Sequence, residues 1–181
     1  MLDTNTFDYI YGKAGLTNKV QKAVDNGKIK LFATDVQKQE IEGIKNNEER
    51  KQGIQQVVKE IRVEFIETSA AVVALDQQCE KGFLGSKVDS ARIVSDEDGE
   101  LLGKLSSDED GELLETVSKL STECLFKNPA DLLIFYTAIK ENMDYVVTGN
   151  SAHFKKPLER FKMERGTKLQ IKNRKEFAKL F

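Results

Sequence analysis

The feature that most constrains the fold is the segment 128–154, NPADLLIFYTAIKENMDYVVTGNSAHF. Proline is favoured at the first position of a helix, and Asn128 in front of Pro129 can cap it. Apolar residues then recur at helical spacing, at Leu132, Leu133, Phe135, Tyr136 and Ile139. Residues 145–147 (YVV) form a short β-rich run, which TGN at 148–150 ends. The segment therefore predicts a helix that leads into a buried strand.

Polar groups lie at the ends of this predicted helix and strand. Asp131 falls in the first turn of the helix, and Thr148 and Asn150 follow the strand. In open α/β sheets, ligands bind at the carboxyl ends of the strands. We expect the first residues of the chain, at 1–5, to form a short strand that reaches the same edge.

Strand-like and helix-like segments alternate through the rest of the chain. Strands are predicted at 29–33, 63–66 and 168–171, and helices at 16–26, 36–44, 47–62, 69–81, within 151–164 and after the cap residue Asn173. This alternation predicts an α/β fold of three layers, α/β/α, with a central parallel sheet. A length of 181 residues suits a single domain, 1–181, with its own core.

The composition excludes several classes of protein. With 39% hydrophobic and 32% charged residues, it is typical of a soluble globular chain. No apolar run approaches the roughly 20 residues of a membrane helix, so we expect no membrane partner. The residues after Asp3 lack the apolar region of a signal peptide, and Cys79 and Cys124 are few and distant, so we expect reduced thiols in a cytoplasmic protein. The only histidine, His153, excludes a His-rich zinc site.

Charge is distributed unevenly, although the net charge is only −2. Residues 155–181 contain ten Lys and Arg against three Glu, whereas 89–123 contain eleven Asp and Glu against three Lys and Arg. The basic segment either follows a phosphate backbone or forms a solvated charged face.

The acidic segment contains SDEDGELL twice, at 95–102 and at 107–114. The run D-E-D-G has too few alternating acids for a good calcium loop of the EF-hand type. Two short amphipathic helices, each with acidic residues in its first turn, explain the pattern as well. We interpret residues 87–123 as a helical, acidic insertion or lid.

Four oxygen-bearing side chains are predicted near strand ends or helix starts, namely those of Asp3, Glu40, Asp131 and Asn150. In a parallel sheet such ends gather at one edge. Carboxylates that meet there repel one another unless a cation neutralises them, and oxygen donors favour Mg²⁺ or Mn²⁺. Such an ion assists phosphodiester hydrolysis by activating water. Glu40 competes with Glu42 for the inward position, because helical phase separates the two by roughly 200°.

The chain resembles a PIN domain over nearly its whole length, apart from roughly 87–123. The matching segments are MLDTNTF at 1–7, TDVQKQEIEGI at 34–44, PADLLIFYTAI at 129–139, DYVVTGNSAHF at 144–154 and, more weakly, LQIKNRKEFAKLF at 169–181. The resemblance implies a metal-dependent ribonuclease. Many PIN domains are toxins of the VapC type, so the resemblance also suggests a toxin with an antitoxin partner. It assigns metal ligands to Asp3, Glu40 and Asp131.

The resemblance also implies roles for neighbouring side chains. Asn150 takes the place of a fourth acidic ligand and would bind a second metal more weakly, or it is only a turn residue. Thr148 corresponds to a hydroxyl that orients the first aspartate, and Asn5 to a polar residue beside the site. We expect RNA contacts from the basic residues Lys155, Lys156, Arg160 and Lys162.

Two other functions stay open from the sequence. The chain could be a PIN-fold binding module with weak catalysis, whose acidic insertion recruits a protein. Its partner could also be a second copy of the chain, in a homodimer. A phosphatase with an aspartyl nucleophile is the other alternative, although Asp3-Thr4-Asn5 departs from the Asp-x-Asp pattern of that chemistry. We expect His153 to pack or cap, or to contact the substrate.

Overall fold

The computed structural model describes residues 1–45, 47–68, 113, 116, 126 and 129–181. This part of the chain is mixed α/β and contains small parallel strand pairs. The helices are α1 (Thr4–Tyr11), α2 (Leu16–Asp25), α3 (Asp35–Glu42), α4 (Glu48–Glu60), α5 (Pro129–Lys140), α6 (Ser151–Glu164) and α7 (Arg174–Ala178). The strands are β1 (Phe32–Thr34), β2 (Glu64–Ile66), β3 (Tyr145–Thr148) and β4 (Gln170–Asn173).

The strands pair in parallel, as the alternation of elements predicted. β1 pairs with β2, and β3 pairs with β4. The extended residues 1–3 join the two pairs, because the Leu2 N–H donates to Phe32 O (2.7 Å) and the Asp3 N–H donates to Val147 O (3.0 Å). Leu2 also forms a parallel bridge with Val147. The resulting order is β4, β3, residues 1–3, β1 and β2.

The described residues divide into two compact units. The first unit comprises Met1–Ile66, Met143–Ser151 and Leu169–Phe181. Its apolar side chains come from the first helices, the strands and α7, and form a buried core of Leu2, Phe7, Ile10, Leu16, Val20, Leu31, Ala33, Ile41, Ile54, Val57, Ile61, Val147 and Phe177. This core includes Leu2 and Phe7, which lie on either side of residues 3–5, where the sequence predicted a candidate site.

Polar cap residues set the starts of several helices where the sequence predicted them. Asn173 accepts from the backbone N–H of Lys175 and of Glu176, both at 2.9 Å, while the Glu176 side chain accepts from Asn173 N (2.8 Å). Asn47 similarly accepts from Arg50 N (2.9 Å) at the start of α4. The predicted cap at Asn173 is confirmed, and Asn47 caps α4 in the same way, since each satisfies a backbone N–H that has no partner inside its helix.

Strand boundaries differ from the sequence prediction by up to three residues. β1 begins at Phe32 rather than at residue 29, and β4 begins at Gln170 rather than at 168. The first residues contribute a single bridge at Leu2, and α1 already begins at Thr4. Pairing determines these ends, because β4 is hydrogen-bonded only where it lies in register with β3. Local residue preference contains no information on that register.

The second unit comprises Glu67–Asn142 and Ala152–Lys168. Residues 131–138 of α5 are buried on every side of the helix, so the helix is an internal one rather than an amphipathic surface helix. Aromatic rings pack against it: Phe126 lies 5.2 Å from Phe135 and 5.9 Å from Phe154, and Phe135 lies 6.0 Å from Phe161, measured between ring centroids. α6 is helical throughout 151–164, although only part of it was predicted to be.

Several predictions fall outside the described residues. They are the cap at Asn128, the helix at 69–81, the thiols Cys79 and Cys124 and, apart from residues 113 and 116, the acidic insertion at 87–123 with its duplicated octapeptide. Within the described part of the chain, no helix has the length and the apolar character needed to cross a membrane.

Candidate functional site

Asp3 occupies a buried position at the edge of the first unit where the parallel strands end. Its backbone N–H donates to Val147 O in β3, and only 6% of the residue is exposed to solvent. Two neutral donors hold the carboxylate: Thr148 Oγ1 lies 2.6 Å from Oδ2, and Asn5 Nδ2 lies 2.6 Å from the same oxygen. We call Asp3, Asn5 and Thr148, with the backbone N–H groups of residues 149 and 150, the Asp3 network.

Backbone groups fix the direction of every hydrogen bond in the Asp3 network. The Asn150 N–H donates to Thr148 Oγ1 (2.9 Å), and the Gly149 N–H donates to Asn5 Oδ1 (2.6 Å). A backbone N–H can only donate, so Oγ1 and Oδ1 are acceptors at these contacts. The Asn5 NH₂ group therefore faces Asp3 and donates to Oδ2, and the Thr148 hydroxyl donates to the same oxygen.

The surroundings of Asp3 act on its ionisation in opposite directions. Burial raises the pKa of Asp3, because a buried charge loses its hydration. Hydrogen bonds from Thr148, the Thr4 backbone and Asn5, and the positive charge of Arg174, lower the same pKa but do not cancel the effect of burial. The neutral donors orient the carboxylate without neutralising it, which leaves a negative charge that a cation could compensate.

Glu40 reaches this site through the residue that follows Asp3. Thr4 Oγ1 donates to Glu40 Oε2 at 2.5 Å, and Glu40 is exposed to solvent. One turn earlier in α3, the buried side chain of Gln37 donates to Leu2 O and accepts from Thr34 N (2.7 Å). Gln37 therefore connects α3 to the first residues of the chain through hydrogen bonds. This connection keeps Glu40, one turn later in α3, close to Thr4.

Sequence reasoning missed Gln37 and also missed Arg174. A signal for Gln37 existed, since Thr34-x-x-Gln37 is a capping-box pattern. Arg174 directly follows β4, and its Nη1 donates to Asn5 O (3.4 Å). Its guanidinium carbon lies 5.6 Å from the centre of the Tyr9 ring. A basic residue directly after the predicted cap residue Asn173 was the available signal for Arg174.

Asp131 belongs to the second unit, where it is 5% exposed. His153 Nδ1 lies 3.3 Å from Asp131 Oδ2, and 49% of the histidine side chain is exposed. His153 thus contacts a buried carboxylate. Of the residues predicted to contact RNA, Lys155 and Lys156 are exposed on α6, and Arg160 pairs with Glu164 (2.8 Å).

The structure brings Asp3, Asn5 and Thr148 into direct contact, and it joins Glu40 to them through Thr4. Asn150 contributes its backbone N–H, while the residue is otherwise exposed. In the ranges that the structure describes, no three His, Cys, Asp or Glu side chains form a group able to hold a metal ion. The four-ligand metal site therefore stays a prediction.

Comparison of the chain with protein-family models, with curated proteins and with solved structures found no match. The resemblance to PIN domains accordingly stays a prediction from the sequence.

Proposed function

We propose that this protein is a metal-dependent endoribonuclease of the PIN type, which cleaves single-stranded RNA by attack of water on a phosphodiester. The proposal includes the predicted architecture, a three-layer α/β/α domain with a central parallel sheet. The observation that carries it is the oriented, buried carboxylate of Asp3 at the edge where parallel strands end. Ligand sites form at such edges.

The donor set fits a hard divalent cation. Both side-chain donors to Asp3 converge on Oδ2, which favours Oδ1 as the oxygen that faces an ion. Glu40 supplies a second carboxylate from α3, next to Thr4. Oxygen ligands of this kind favour Mg²⁺ or Mn²⁺. When bound, such an ion polarises the phosphodiester and lowers the pKa of water.

Residues of the chain position the reactants. Thr148 and Asn5 hold Asp3 in one orientation, and Gln37 holds α3 so that Glu40 stays near it. The side chain of Asn150 is a weak ligand or orients a water. Asp131 is the third carboxylate that the sequence predicts.

Exposed cations on α6 suit the binding of an RNA backbone, because exposed basic side chains contact phosphates without reading bases. They are Lys155, Lys156, Arg160 and Lys162. Arg160 must exchange its pairing with Glu164 for a phosphate, so we expect the lysines to contribute more.

The test measures Mn²⁺-dependent cleavage of a labelled single-stranded RNA. Asp3→Asn and Asp131→Asn are expected to lose at least about a hundredfold in rate, since loss of a metal ligand exceeds the effect of losing an outer partner. The matched control is Asp25→Asn, because Asp25 forms an exposed ion pair with Arg62 (3.0 Å). Equal cleavage by all four proteins would show that the activity is a contaminant's and would reject the proposal.

A binding module with little catalysis is the second candidate. It is favoured by Asn150, whose amide binds a cation more weakly than the carboxylate that it replaces. This function predicts RNA binding without turnover and no heat in a calorimetric titration with Mn²⁺. A protein partner such as an antitoxin, or a second copy of the chain, would appear in size-exclusion chromatography.

A further inference from the structure

Arg174 differs from the other arginines whose pairing the structure describes. Arg50 pairs with Asp8 (2.7 Å), Arg62 with Asp25 (3.0 Å) and Arg160 with Glu164 (2.8 Å). Arg174 is half-buried and, within the described part of the chain, has no carboxylate at ion-pair distance. A half-buried guanidinium without a fixed counter-ion has donors left for an anion.

Three neighbours hold the guanidinium of Arg174 beside the Asp3 network. The Tyr9 ring lies 5.6 Å from its carbon, a cation–π distance. Nη1 donates to Asn5 O at 3.4 Å, so one of the five N–H groups is engaged by the protein. Gly149 also lies close to the guanidinium. The head group is thus oriented before any ligand arrives.

Gly149 is required for this position of Arg174. A Cβ at residue 149 would lie 2.9 Å from Asn5 Oδ1, 3.0 Å from Arg174 Cζ and 3.1 Å from Arg174 Nε. A side chain there would require both Asn5 Oδ1 and the guanidinium to shift. The absence of a side chain at 149 therefore lets the cation approach the residues that hold Asp3.

We propose that Arg174 is a phosphate-binding residue, whose guanidinium binds a non-bridging oxygen of an RNA phosphodiester next to Asp3. The inference rests on the proposed function, because it assigns a substrate contact in the same site. Its chemistry follows from the geometry. A planar fork of N–H donors matches two phosphate oxygens, and its charge offsets the repulsion between the phosphate and the Asp3 carboxylate.

The experiment measures binding of a fluorescein-labelled single-stranded oligoribonucleotide in EDTA by fluorescence anisotropy, over a series of salt concentrations. Arg174→Ala is expected to weaken binding about tenfold and to reduce the slope of log K against log salt by about 0.7. Arg174→Lys should keep the slope yet bind about threefold more weakly, because it loses the fork. Gly149→Ala should weaken binding without removing a charge.

The matched control is Arg62→Ala, which removes an exposed arginine of the same unit. It is expected to leave affinity and slope within about twofold of the wild type. Thermal unfolding of each variant separates loss of a ligand contact from loss of the Tyr9 contact. Should Arg174→Ala misfold, Arg174→Lys and Gly149→Ala give the same test.

The outcomes distinguish this inference from the proposed nuclease. A lowered melting temperature with unchanged affinity and salt slope would make Arg174 purely structural and overturn the inference. So would a wild-type protein that binds no RNA. Weak binding by the Arg174 variants with no Mn²⁺-dependent cleavage by the wild type would support the phosphate contact and reject the nuclease. Mn²⁺-dependent cleavage with a KM that Arg174→Ala does not change would support the nuclease and reject the phosphate contact.

Discussion

The two units each bury an aspartate, and they hold it by different means. Asp3 of the first unit is 6% exposed and accepts hydrogen bonds from a hydroxyl and an amide, neither of which can become charged. Asp131 of the second unit is 5% exposed and contacts His153, an ionisable ring that is 49% exposed in its side chain. The same residue type at the same depth thus has a neutral network in one unit and a titratable neighbour in the other.

The difference shows what each environment can do. Neutral donors determine the direction of the Asp3 carboxylate without neutralising it, and the positive charge of Arg174 offsets only part of the effect of burial. Asp131 instead has a long contact of 3.3 Å with the half-exposed ring of His153. The Asp3 network is therefore the better preorganised of the two for a cation, and perturbing it should have larger effects than perturbing the Asp131 contact.

The largest effect on stability is expected from Thr148→Val. Thr148 is fully buried, and its hydroxyl satisfies both Asp3 and the Asn150 N–H. Valine has nearly the same shape but leaves two polar groups without this partner, so the free energy of unfolding should fall by about 3 kcal/mol. Urea unfolding in EDTA measures it.

Thr6→Val is the matched control for Thr148→Val. Thr6 is equally buried and donates to Val147 O (2.9 Å), an oxygen that also accepts from Asp3 N. Its loss should cost only about 1 kcal/mol. Equal costs for the two valine variants would show that Asp3 gains nothing special from Thr148.

Asn5→Ala should have the next largest effect. It removes the second donor to Asp3 and the acceptor of the Gly149 N–H. Asn5 is only half-buried, so water replaces part of what is lost, and we expect a decrease of about 1.5 kcal/mol in the free energy of unfolding. If Asn5→Ala lowered the free energy of unfolding by more than Thr148→Val does, Asn5 would be the more important partner of Asp3, contrary to this prediction.

Asp3→Asn should act in the opposite direction in metal-free protein. The folded pKa of Asp3 lies above its unfolded value. Its contribution to stability is therefore complete below the unfolded pKa and is lost as pH rises through the folded pKa. Since asparagine does not ionise, the variant should gain stability relative to the wild type as pH rises.

Urea unfolding between about pH 4 and pH 8 gives this difference directly. Added Mn²⁺ should stabilise the wild type more than Asp3→Asn. A difference that is constant with pH would mean that burial does not disfavour the ionised Asp3.

The smallest effect is expected from His153→Gln. The contact with Asp131 is long, at 3.3 Å, and half of the histidine side chain faces solvent. The free energy of unfolding should change by no more than about 0.5 kcal/mol. A loss comparable to that of Thr148→Val would show that Asp131 depends on its titratable neighbour as much as Asp3 depends on its neutral ones.

Much of the local structure could be predicted from the sequence, because its causes are local. Asn47 and Asn173 cap helices through side chains that reach only two or three residues along the chain. The spacing of apolar residues likewise predicts the helices of the first unit, and the alternation of strands with helices predicts that the strands pair in parallel. The ends of β1 and β4 were misplaced, because the register of a distant strand decides them.

The candidate site divides in the same way. Position at strand ends singled out Asp3 and Thr148, whose hydrogen bond joins residues 145 positions apart. No local pattern could indicate that Gln37 would bond to Leu2 O, or that Arg174 would lie over Tyr9. Such contacts arise only when separate elements pack. Helical phase left Glu40 and Glu42 open, and the contact between Thr4 and Glu40 depends on the packing of α1 with α3.

The placement of residues 1–3 between β1 and β3 has a consequence for synthesis on the ribosome. β1 emerges early, but β3 follows more than a hundred residues later. At about 5–20 residues per second, that interval lasts several seconds or longer. Until then the nascent chain holds Asp3 as an ordinary hydrated carboxylate, with neither Thr148 nor Arg174 beside it. A nascent chain therefore cannot assemble the proposed site before residues 148–174 have been synthesised.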